Sequence, residues 1–331
     1  MHHGLVGDGM REILRTNDLV RLSWFQALLS ERGINSVVLD SHTSVLEGSV
    51  SAIPRRLMVR AEDFSIAMRL LEEYGALDGG RVTGATGRLL DGRITLLQPS
   101  SGYRAAIDPV LLAAAVPAVS PDQAVLDVGC GGGAAALCYA GRVPVDRITG
   151  LELQPLRAQE ARENARINMM DQRIVILIGS LLRPPPELKP GSFAQVFANP
   201  PYLQQSRADR RTSPDDAIET VEGDAKLADW IAFCAEMAAP KGGITLIHRA
   251  DRLDEIVALL RERAGGIVVF PLWPRASDDG APGEAKRVLI HARKGSKAPL
   301  RLTGGMILHD SDGGYTPAAE AVLRHGEALS Y

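Results

Sequence analysis

Hydrophobic and polar residues follow one pattern up to about residue 80 and a different pattern beyond it. In the first part, residues 12–15 form a short strand candidate, and an amphipathic helix face follows, built from Leu22, Phe25, Leu28 and Leu29. Two strand candidates, residues 34–39 and 56–59, precede a second amphipathic segment over residues 61–74. The order strand, helix, strand, strand, helix predicts a small α+β, ferredoxin-like domain over residues 1–80.

The second part alternates apolar strands with helical segments. Glycine and small residues dominate residues 75–87, and residues 81–87 are the predicted linker. Asp91-Gly92 then marks a β-hairpin within residues 89–97. Seven short apolar strands are predicted downstream: Ala124–Val128, Ile148–Leu151, Ile174–Ile178, Ala194–Ala198, Gly243–Ile247, Ile267–Phe270 and Arg287–His291. Such runs predict an α/β fold with a doubly wound, seven-stranded, mostly parallel sheet over residues 88–331.

Composition excludes several classes of protein. The longest apolar stretch, residues 105–119, is interrupted by an aspartate and two prolines, and it is shorter than the ~20 residues that cross a bilayer. The first residues lack the basic and then apolar pattern of a signal peptide. The cysteines Cys130, Cys138 and Cys234 lie too far apart for a disulfide framework or a recognisable thiolate metal site. We therefore expect a cytoplasmic protein without a metal site and without membrane contact.

The formal net charge of −3 does not indicate a generally basic nucleic-acid binder. Residues 1–80 carry this whole imbalance, with eight arginines against eleven acidic residues, and the remainder is neutral. One basic cluster stands out near the end of the chain, within residues 284–301: Lys286, Arg287, Arg293, Lys294, Lys297 and Arg301. Two interpretations of this cluster are compatible with the overall charge: a local basic surface, or a solvated strand edge and loop.

A glycine-rich turn follows the first strand of the second part. Residues 124–128 run into Gly129-Cys130-Gly131-Gly132-Gly133, where glycine lets a ligand approach backbone N–H groups closely. Asp127 precedes the glycines, where a carboxylate repels a pyrophosphate but attracts a cationic ligand. Glu152 ends the next strand, in the position that accepts hydrogen bonds from ribose hydroxyls. This combination favours S-adenosylmethionine (AdoMet) over NAD; the alternative is an ordinary βα turn with a surface glutamate.

The tetrapeptide Asn199-Pro200-Pro201-Tyr202 follows the fourth strand. Two prolines fix φ and make a rigid turn that presents an amide, a carbonyl and an aromatic ring. The Asn199 oxygen and the Pro200 carbonyl are suited to accept the two N–H bonds of an exocyclic adenine amine. Tyr202 is suited to stack on a base that has left its own stack. Catalysis would then rest on positioning and electrostatics; the alternative is a plain turn with the tyrosine packed below it.

Together these motifs resemble class I AdoMet-dependent methyltransferases, and residues 90–113 resemble the entry segment of the tRNA1(Val) adenine-N6 methyltransferase family. The similarity extends from about Gly87 to Tyr331. It implies AdoMet as cofactor, tRNA as substrate and methylation of an adenine N6. It also implies that Asn199, Pro200, Pro201 and Tyr202 are catalytic. The implied cofactor-binding residues are Gln98, Tyr103, Arg104, Asp108, Asp127, Gly129, Gly131, Glu152, Leu153 and Asn199.

Two features of the sequence qualify this resemblance. Ser180 stands where the family usually has an acid that contacts the adenine of AdoMet, and a hydroxyl accepts that hydrogen bond more weakly than a carboxylate. Segments within residues 14–18, 40–48 and 54–56 are similar to a bacterial family named for signal transduction, which brings no defined activity. There we interpret His42 and Glu47 as solvated loop residues. We expect the first domain to serve in protein contact, homo-oligomer contact or substrate orientation.

The residues alone leave the identity of the substrate open. The same tetrapeptide chemistry serves methyltransferases that act on protein glutamine, rRNA guanine or DNA adenine. A fold that only binds RNA or AdoMet without turnover is another alternative. For a nucleic-acid substrate, we expect Tyr202 to contact the base and three arginines in the following polar loop to contact phosphates: Arg207, Arg210 and Arg211.

Overall fold

A computed structural model describes residues 10–16, 19–39, 55–67, 70, 85–98, 107–202, 224–276 and 283–331. Its contacts divide the chain into two compact units, Met1–Thr83 and Gly84–Tyr331. The sites predicted at Tyr103, Arg104, Arg207, Arg210 and Arg211 lie outside the described residues, as do His42 and Glu47. None of the helices in the described ranges is long and apolar enough to cross a membrane.

The first unit contains a three-stranded antiparallel sheet and a helix. Its elements are β1 (Met10–Thr16), α1 (Leu19–Glu31), β2 (Ser36–Leu39) and β3 (Arg55–Arg60). The strand order is β1-β3-β2, and β3 runs antiparallel to both neighbours. β1 and β2 are therefore parallel and separated by one strand, which is the split βαβ arrangement that the sequence predicts. Phe25, Leu28 and Leu29 are each 1% exposed and form its core.

The second unit is a doubly wound α/β domain. Its strands are β4 (Ala85–Leu89), β5 (Ile94–Gln98), β6 (Ala124–Val128), β7 (Arg147–Glu152), β8 (Ile174–Ile178), β9 (Phe193–Ala198), β10 (Ala238–Arg249), β11 (Ala264–Arg275), β12 (Arg287–Lys294), β13 (Arg301–Leu302) and β14 (Met306–His309). Its α-helices are α2 (Asp108–Ala115), α3 (Ala134–Arg142), α4 (Pro155–Ile167), α5 (Leu227–Met237), α6 (Leu253–Arg261) and α7 (Pro317–Leu323), with a 3-10 turn at Ala250–Arg252.

The main sheet has the order β13-β11-β12-β10-β9-β6-β7-β8, and β14 also pairs with β11. β12 runs antiparallel to β10 and β11, whereas the other pairings in this sheet are parallel. All seven predicted strands are present, and the doubly wound, mostly parallel fold is confirmed. Two short strands, β13 and β14, extend the sheet to nine strands. They were missed because two to four residues carry too little periodic pattern to be recognised.

The linker boundary also differs from the prediction. Residues 85–87 belong to β4 and pair with Leu96–Gln98 of β5, and the predicted hairpin is confirmed around Asp91-Gly92. β4 was missed because its sequence, ATGRL, has no alternating apolar side chains. Its backbone pairs with that of β5 along the whole strand.

The chain reverses its path across the main sheet between β6 and β9. β7 and β8 extend the sheet on one side of β6, and β9 and β10 extend it on the other. In open α/β sheets, ligands bind at such a switch point, outside the carboxyl ends of the strands. The glycine-rich turn after β6, Glu152 at the end of β7 and Asn199 after β9 all lie at this edge.

Candidate active site

The glycine-rich turn after β6 has a backbone that only glycine adopts without strain. Gly129, Gly131 and Gly133 have φ values of 68°, 54° and 83°. A Cβ on Gly129 would overlap the indole ring of Trp230, so this position excludes a side chain for a second reason. The N–H groups of Gly129 and Cys130 donate to the Leu151 carbonyl at 2.7 and 3.0 Å. The turn is thereby fastened to the end of β7.

Glu152 stabilises the same turn through its side chain. Its two carboxylate oxygens accept the backbone N–H groups of Gly131 and Gln154, each at 2.8 Å. Burial raises the pKa of Glu152, and these two N–H groups oppose that rise. A carboxylate has about four lone-pair positions, so each oxygen can still accept one hydroxyl from a ribose.

Asp127, at the end of β6, is 2% exposed. Burial raises its pKa to about 8, the Ala136 backbone opposes the rise, and nearby Glu152 adds to it. Within the part of the chain that the structure describes, its Oδ2 has no hydrogen-bond partner. A buried carboxylate without a partner is costly, and a bound cation would relieve that cost.

A cavity opens between the turn, the β4–β5 hairpin and the tetrapeptide. The described residues that line it include Gln98, Asp127, Gly129, Gly131, Glu152, Leu153, Asn199 and Pro201, together with Gly132, Gln154, Arg157, Glu160 and Trp230. Three of these carry a buried polar atom without a partner among the described residues: Gln98 Oε1, Asp127 Oδ2 and Trp230 Nε1. Two acceptors and one donor without a partner thus belong to residues that line a partly apolar space. This donor and acceptor set fits AdoMet, which carries an ammonium, a carboxylate and ribose hydroxyls.

The hairpin that lines this cavity is held by two asparagines four residues apart, Asn164 in α4 and Asn168 directly after its last residue. Asn164 accepts the Leu97 N–H at 2.7 Å and donates to the Leu97 carbonyl at 3.1 Å. Asn168 makes the same pair of hydrogen bonds with Thr95, at 2.9 and 2.7 Å. The free edge of β5 therefore pairs with side-chain amides instead of with a further strand.

The tetrapeptide lies beside the glycine-rich turn. The Tyr202 hydroxyl is 2.6 Å from both Asn199 Oδ1 and Asp108 Oδ2. The Arg287 guanidinium lies 4.4 Å above the Tyr202 ring centre, and its Nε donates to Asp108 Oδ2 at 3.1 Å. One face of the Tyr202 ring is thus covered by a cation, so stacking on a base would use the opposite face.

His248 contacts two residues of the tetrapeptide. Its ring meets the Tyr202 ring edge-on, with centroids 5.3 Å apart, and its Nε2 lies 3.3 Å from the Pro201 carbonyl oxygen. Burial, with the guanidinium of Arg252 nearby, lowers the pKa of His248 to about 4. The imidazole is therefore neutral at pH 7 and donates its Nε2–H to that carbonyl.

Some predicted residues lie apart from this cavity. Ser180 is not among the described lining residues, and its hydroxyl accepts the Leu182 N–H at 3.1 Å within a local turn. Asp108 is not among them either, because its side chain binds Tyr202 and Arg287. The basic cluster near the end of the chain does not form one surface. Arg287 points into the site, and Lys294 donates to the carbonyls of Glu236 and Ala238.

Sequence reasoning missed several lining residues. Gln154, Arg157 and Glu160 recur every third residue at the start of α4, directly after Glu152. That spacing places them on one helix face, and it was a usable signal. Trp230 gave no such signal, because it lies about thirty residues beyond the tetrapeptide and reaches Gly129 only through tertiary packing.

Comparison with known proteins assigns the chain to a family. Residues 10–75 match a family described as "Putative prokaryotic signal transducing protein", and residues 107–216 match the family described as "Methyltransferase small domain". A tRNA1(Val) (adenine(37)-N6)-methyltransferase from Porphyromonas gingivalis is 31% identical over 237 residues, which cover 68% of this chain and 89% of that protein. The chain belongs to this methyltransferase family.

A second relative agrees with the assignment, and a solved structure shares the fold. A tRNA1(Val) (adenine(37)-N6)-methyltransferase from Aeromonas hydrophila is 29% identical over 210 residues, covering 63% of this chain and 84% of that protein. A crystal structure described as a predicted O-methyltransferase from Agrobacterium tumefaciens has the same fold, with a TM-score of 0.54 and 24% identity over 68% of this chain and 99% of that one. The protein is thus an AdoMet-dependent N-methyltransferase, as the sequence predicts.

Proposed function

We propose that this methyltransferase transfers a methyl group from AdoMet to the N6 atom of an adenine in tRNA. The names of its relatives specify adenine 37 of tRNA1(Val) as their target. The observation that carries the proposal is the cavity wall shared by two motifs. Asn199 and Pro201 of the tetrapeptide line the same cavity as Asp127 and Glu152.

The residues of the cofactor half have separate tasks in this proposal. Glu152 would accept the ribose hydroxyls, and Asp127 would pair with the ammonium group of AdoMet. Gln98 Oε1 and Trp230 Nε1 would meet further polar groups, since both atoms are buried and lack a partner among the described residues. When bound, AdoMet supplies a methyl group on a positively charged sulfur.

The residues of the tetrapeptide would prepare the acceptor. The lone pair of an adenine amine is delocalised into the ring, so the amine is a weak nucleophile until its two N–H bonds are oriented. The Asn199 side-chain oxygen and the Pro200 carbonyl would accept these N–H bonds. This arrangement lowers the barrier by positioning and by pre-oriented dipoles, without a covalent intermediate.

The decisive experiment is transfer of labelled methyl groups to separate pools of tRNA, DNA and protein, followed by nucleoside and amino-acid analysis. We expect label in tRNA, as N6-methyladenosine, and we expect Asn199→Ala to reduce the rate by about 10²–10³ with a much smaller change in AdoMet affinity. Label in glutamine, guanine or DNA adenine would replace the proposed substrate. AdoMet binding without transfer to any pool would support the non-catalytic alternative.

We also propose that Arg207, Arg210 and Arg211 contact tRNA phosphates. They follow Tyr202 by five to nine residues in the sequence, in a polar segment that carries all three positive charges. Replacing all three with Gln should reduce the log–log slope of tRNA affinity against salt by about 2–3 units and leave AdoMet affinity unchanged. The matched control replaces Arg293, Lys297 and Arg301 with Gln. A slope that falls only in this control would move the RNA surface to the end of the chain.

A further inference from the structure

The hydroxyl group of Tyr202 has an unusual pair of neighbours. Its oxygen is 2.6 Å from Asp108 Oδ2 and also 2.6 Å from the Asn199 side chain. A tyrosine hydroxyl carries one proton, so it can donate only one of these two hydrogen bonds. Two oxygens at 2.6 Å with no proton between them repel each other. In one of the two hydrogen bonds, the proton must therefore come from Asp108 or Asn199 and not from Tyr202.

Asp108 is the stronger acceptor of the two. Its carboxylate forms an ion pair with the Arg287 guanidinium, whose Nε donates to the same Oδ2 at 3.1 Å. Hydrogen bonds to a charged acceptor are shorter and about twice as strong as bonds between neutral groups. The Tyr202 proton therefore belongs to the bond with Asp108.

This leaves the Asn199 amide to supply the second proton. The two ends of an asparagine amide have the same shape, and a half-turn about the Cβ–Cγ bond exchanges the oxygen and the NH₂ group. With the NH₂ group toward Tyr202, Asn199 donates to the tyrosine oxygen. Its own oxygen then points away from Tyr202, and Asn199 lines the cavity.

We propose that Asp108 is a positioning residue that acts through the Tyr202 hydroxyl to hold the Asn199 amide oxygen toward the methyl-acceptor amine. Arg287 holds Asp108 in place through Nε and covers the Tyr202 ring. This inference rests on the proposed function, because the orientation of Asn199 matters for rate only if Asn199 accepts the amine hydrogen. In this proposal Asp108 positions Asn199, instead of contacting the cofactor as the sequence resemblance implies.

The proposal predicts an unusual order of rates among four variants. In Asp108→Ala, Tyr202 loses its carboxylate acceptor and donates to Asn199 instead, so it occupies the oxygen that the substrate needs, and kcat should fall about tenfold. Tyr202→Phe leaves the amide without a fixed orientation and without a competitor, and kcat should fall about threefold. Since Asp108 acts only through the hydroxyl, the double variant should match Tyr202→Phe and not lose more. Asp108→Asn should stay within about threefold of the original kcat, because its amide oxygen can still face Arg287 and Tyr202.

The controls are the dissociation constant of AdoMet, the KM for tRNA and the melting temperature of every variant. In Asp108→Ala, both constants should stay within about twofold of those of the unchanged protein. Additive losses of kcat in the double variant, or an AdoMet dissociation constant that rises tenfold in Asp108→Ala, would overturn the proposal. A charge-dependent role of Asp108 at the cofactor would also make Asp108→Asn as impaired as Asp108→Ala.

A second measurement does not depend on methyl transfer. With ¹⁵N-labelled asparagine, the side-chain NH₂ resonances of Asn199 are assigned by their loss in Asn199→Ala. We expect a strong nuclear Overhauser contact between this NH₂ group and the Tyr202 ring protons, which Asp108→Ala should weaken. Retention of that contact in Asp108→Ala, or its absence in the unchanged protein, would refute the positioning role. If no nucleic acid is methylated, this spectrum still tests the orientation, so the two failures remain distinguishable.

Discussion

Asn164 joins the glycine-rich turn to the β4–β5 hairpin, because its Nδ2 donates to the Gly132 carbonyl at 2.9 Å while the same amide pairs with the Leu97 backbone. Asn164 is completely buried. The turn and the hairpin are separate in sequence, and both line the cavity. One side chain of α4 therefore fixes the hairpin to the turn.

We predict that Asn164→Ala lowers the free energy of unfolding by about 2–4 kcal/mol, because partly buried backbone groups of Leu97 and Gly132 lose their partner. AdoMet binding should weaken about tenfold, since the turn is no longer fixed against the hairpin. Asn168→Ala is the matched control, because it removes the same kind of bonds to Thr95 without touching the turn. Denaturant unfolding and calorimetric titration measure both effects. Equal losses of AdoMet affinity in the two variants would show that the turn does not depend on Asn164.

The strands and motifs of this site could be predicted from the sequence, whereas the long-range hydrogen bonds between them could not. Seven strands were recognisable because each is a continuous apolar run, and the glycine turn and the tetrapeptide each have a strict local sequence. The pair of Asn164 and Asn168 was not recognisable, because its partners are backbone groups some seventy residues away. The same holds for Arg287, which reads as part of a basic cluster and yet binds Asp108, 179 residues before it.

Two further differences have a similar cause. The sequence presented Tyr202 as a free ring, whereas packing surrounds it with Asp108, Arg287 and His248. Ser180 was aligned with a family position, but its hydroxyl is satisfied within its own turn. The local sequence pattern indicates which residues are candidates for the site. Long-range contacts decide which of their polar atoms remain available to a ligand.

Asp127 should make the protein less stable as the pH rises when AdoMet is absent. Its pKa is about 8 in the folded state and about 3.9 in an unfolded chain, so the folded state binds the proton more tightly. The stability that this proton provides is complete below pH 4 and is lost as the pH rises through 8. Asp127→Asn carries no charge at any pH. Its melting temperature should exceed that of the unchanged protein by a small margin at pH 5 and by a much larger one at pH 9.

At pH 9 we expect this difference to be about 2 kcal/mol or more, which corresponds to roughly 4–8 °C for a domain of this size. Calorimetric melting curves at several pH values provide the measurement, and Glu163→Gln on α4 is a control outside the cavity. Saturating AdoMet should reduce the difference, because its ammonium group would compensate the Asp127 charge. A difference that does not change with pH would mean that Asp127 is ionised throughout this range.

Replacing Glu152 with Ala should weaken AdoMet binding by about 1.5–3 kcal/mol, the range for a hydrogen bond to a charged group. The Gly131 N–H also loses its acceptor in this variant, so part of the effect reflects a less ordered turn. Glu163→Ala is the control, because this equally buried glutamate of α4 pairs with Arg166 and does not line the described cavity. Titration of each variant with AdoMet gives the affinities. An unchanged dissociation constant in Glu152→Ala would remove Glu152 from the cofactor site.

The first unit should be dispensable for folding of the methyltransferase domain. Met1–Thr83 and Gly84–Tyr331 are separate compact units, and each has its own buried core, around Phe25, Leu28 and Leu29 in the first and on both faces of the main sheet in the second. A chain that begins at Gly84 should therefore melt cooperatively and bind AdoMet as the full chain does. The start point matters, because residues 85–89 form β4 of the hairpin beside the cofactor cavity.

A chain that begins at Leu90 provides the matched comparison. It removes β4 as well, so it should lose stability and AdoMet affinity, whereas the chain that begins at Gly84 should lose neither. If the first unit orients the substrate, removing it should raise the KM for tRNA and leave the AdoMet dissociation constant unchanged. Sedimentation of the full and shortened chains tests the alternative role in homo-oligomer contact. Insolubility or loss of AdoMet binding in the chain that begins at Gly84 would show that the two units depend on each other for folding.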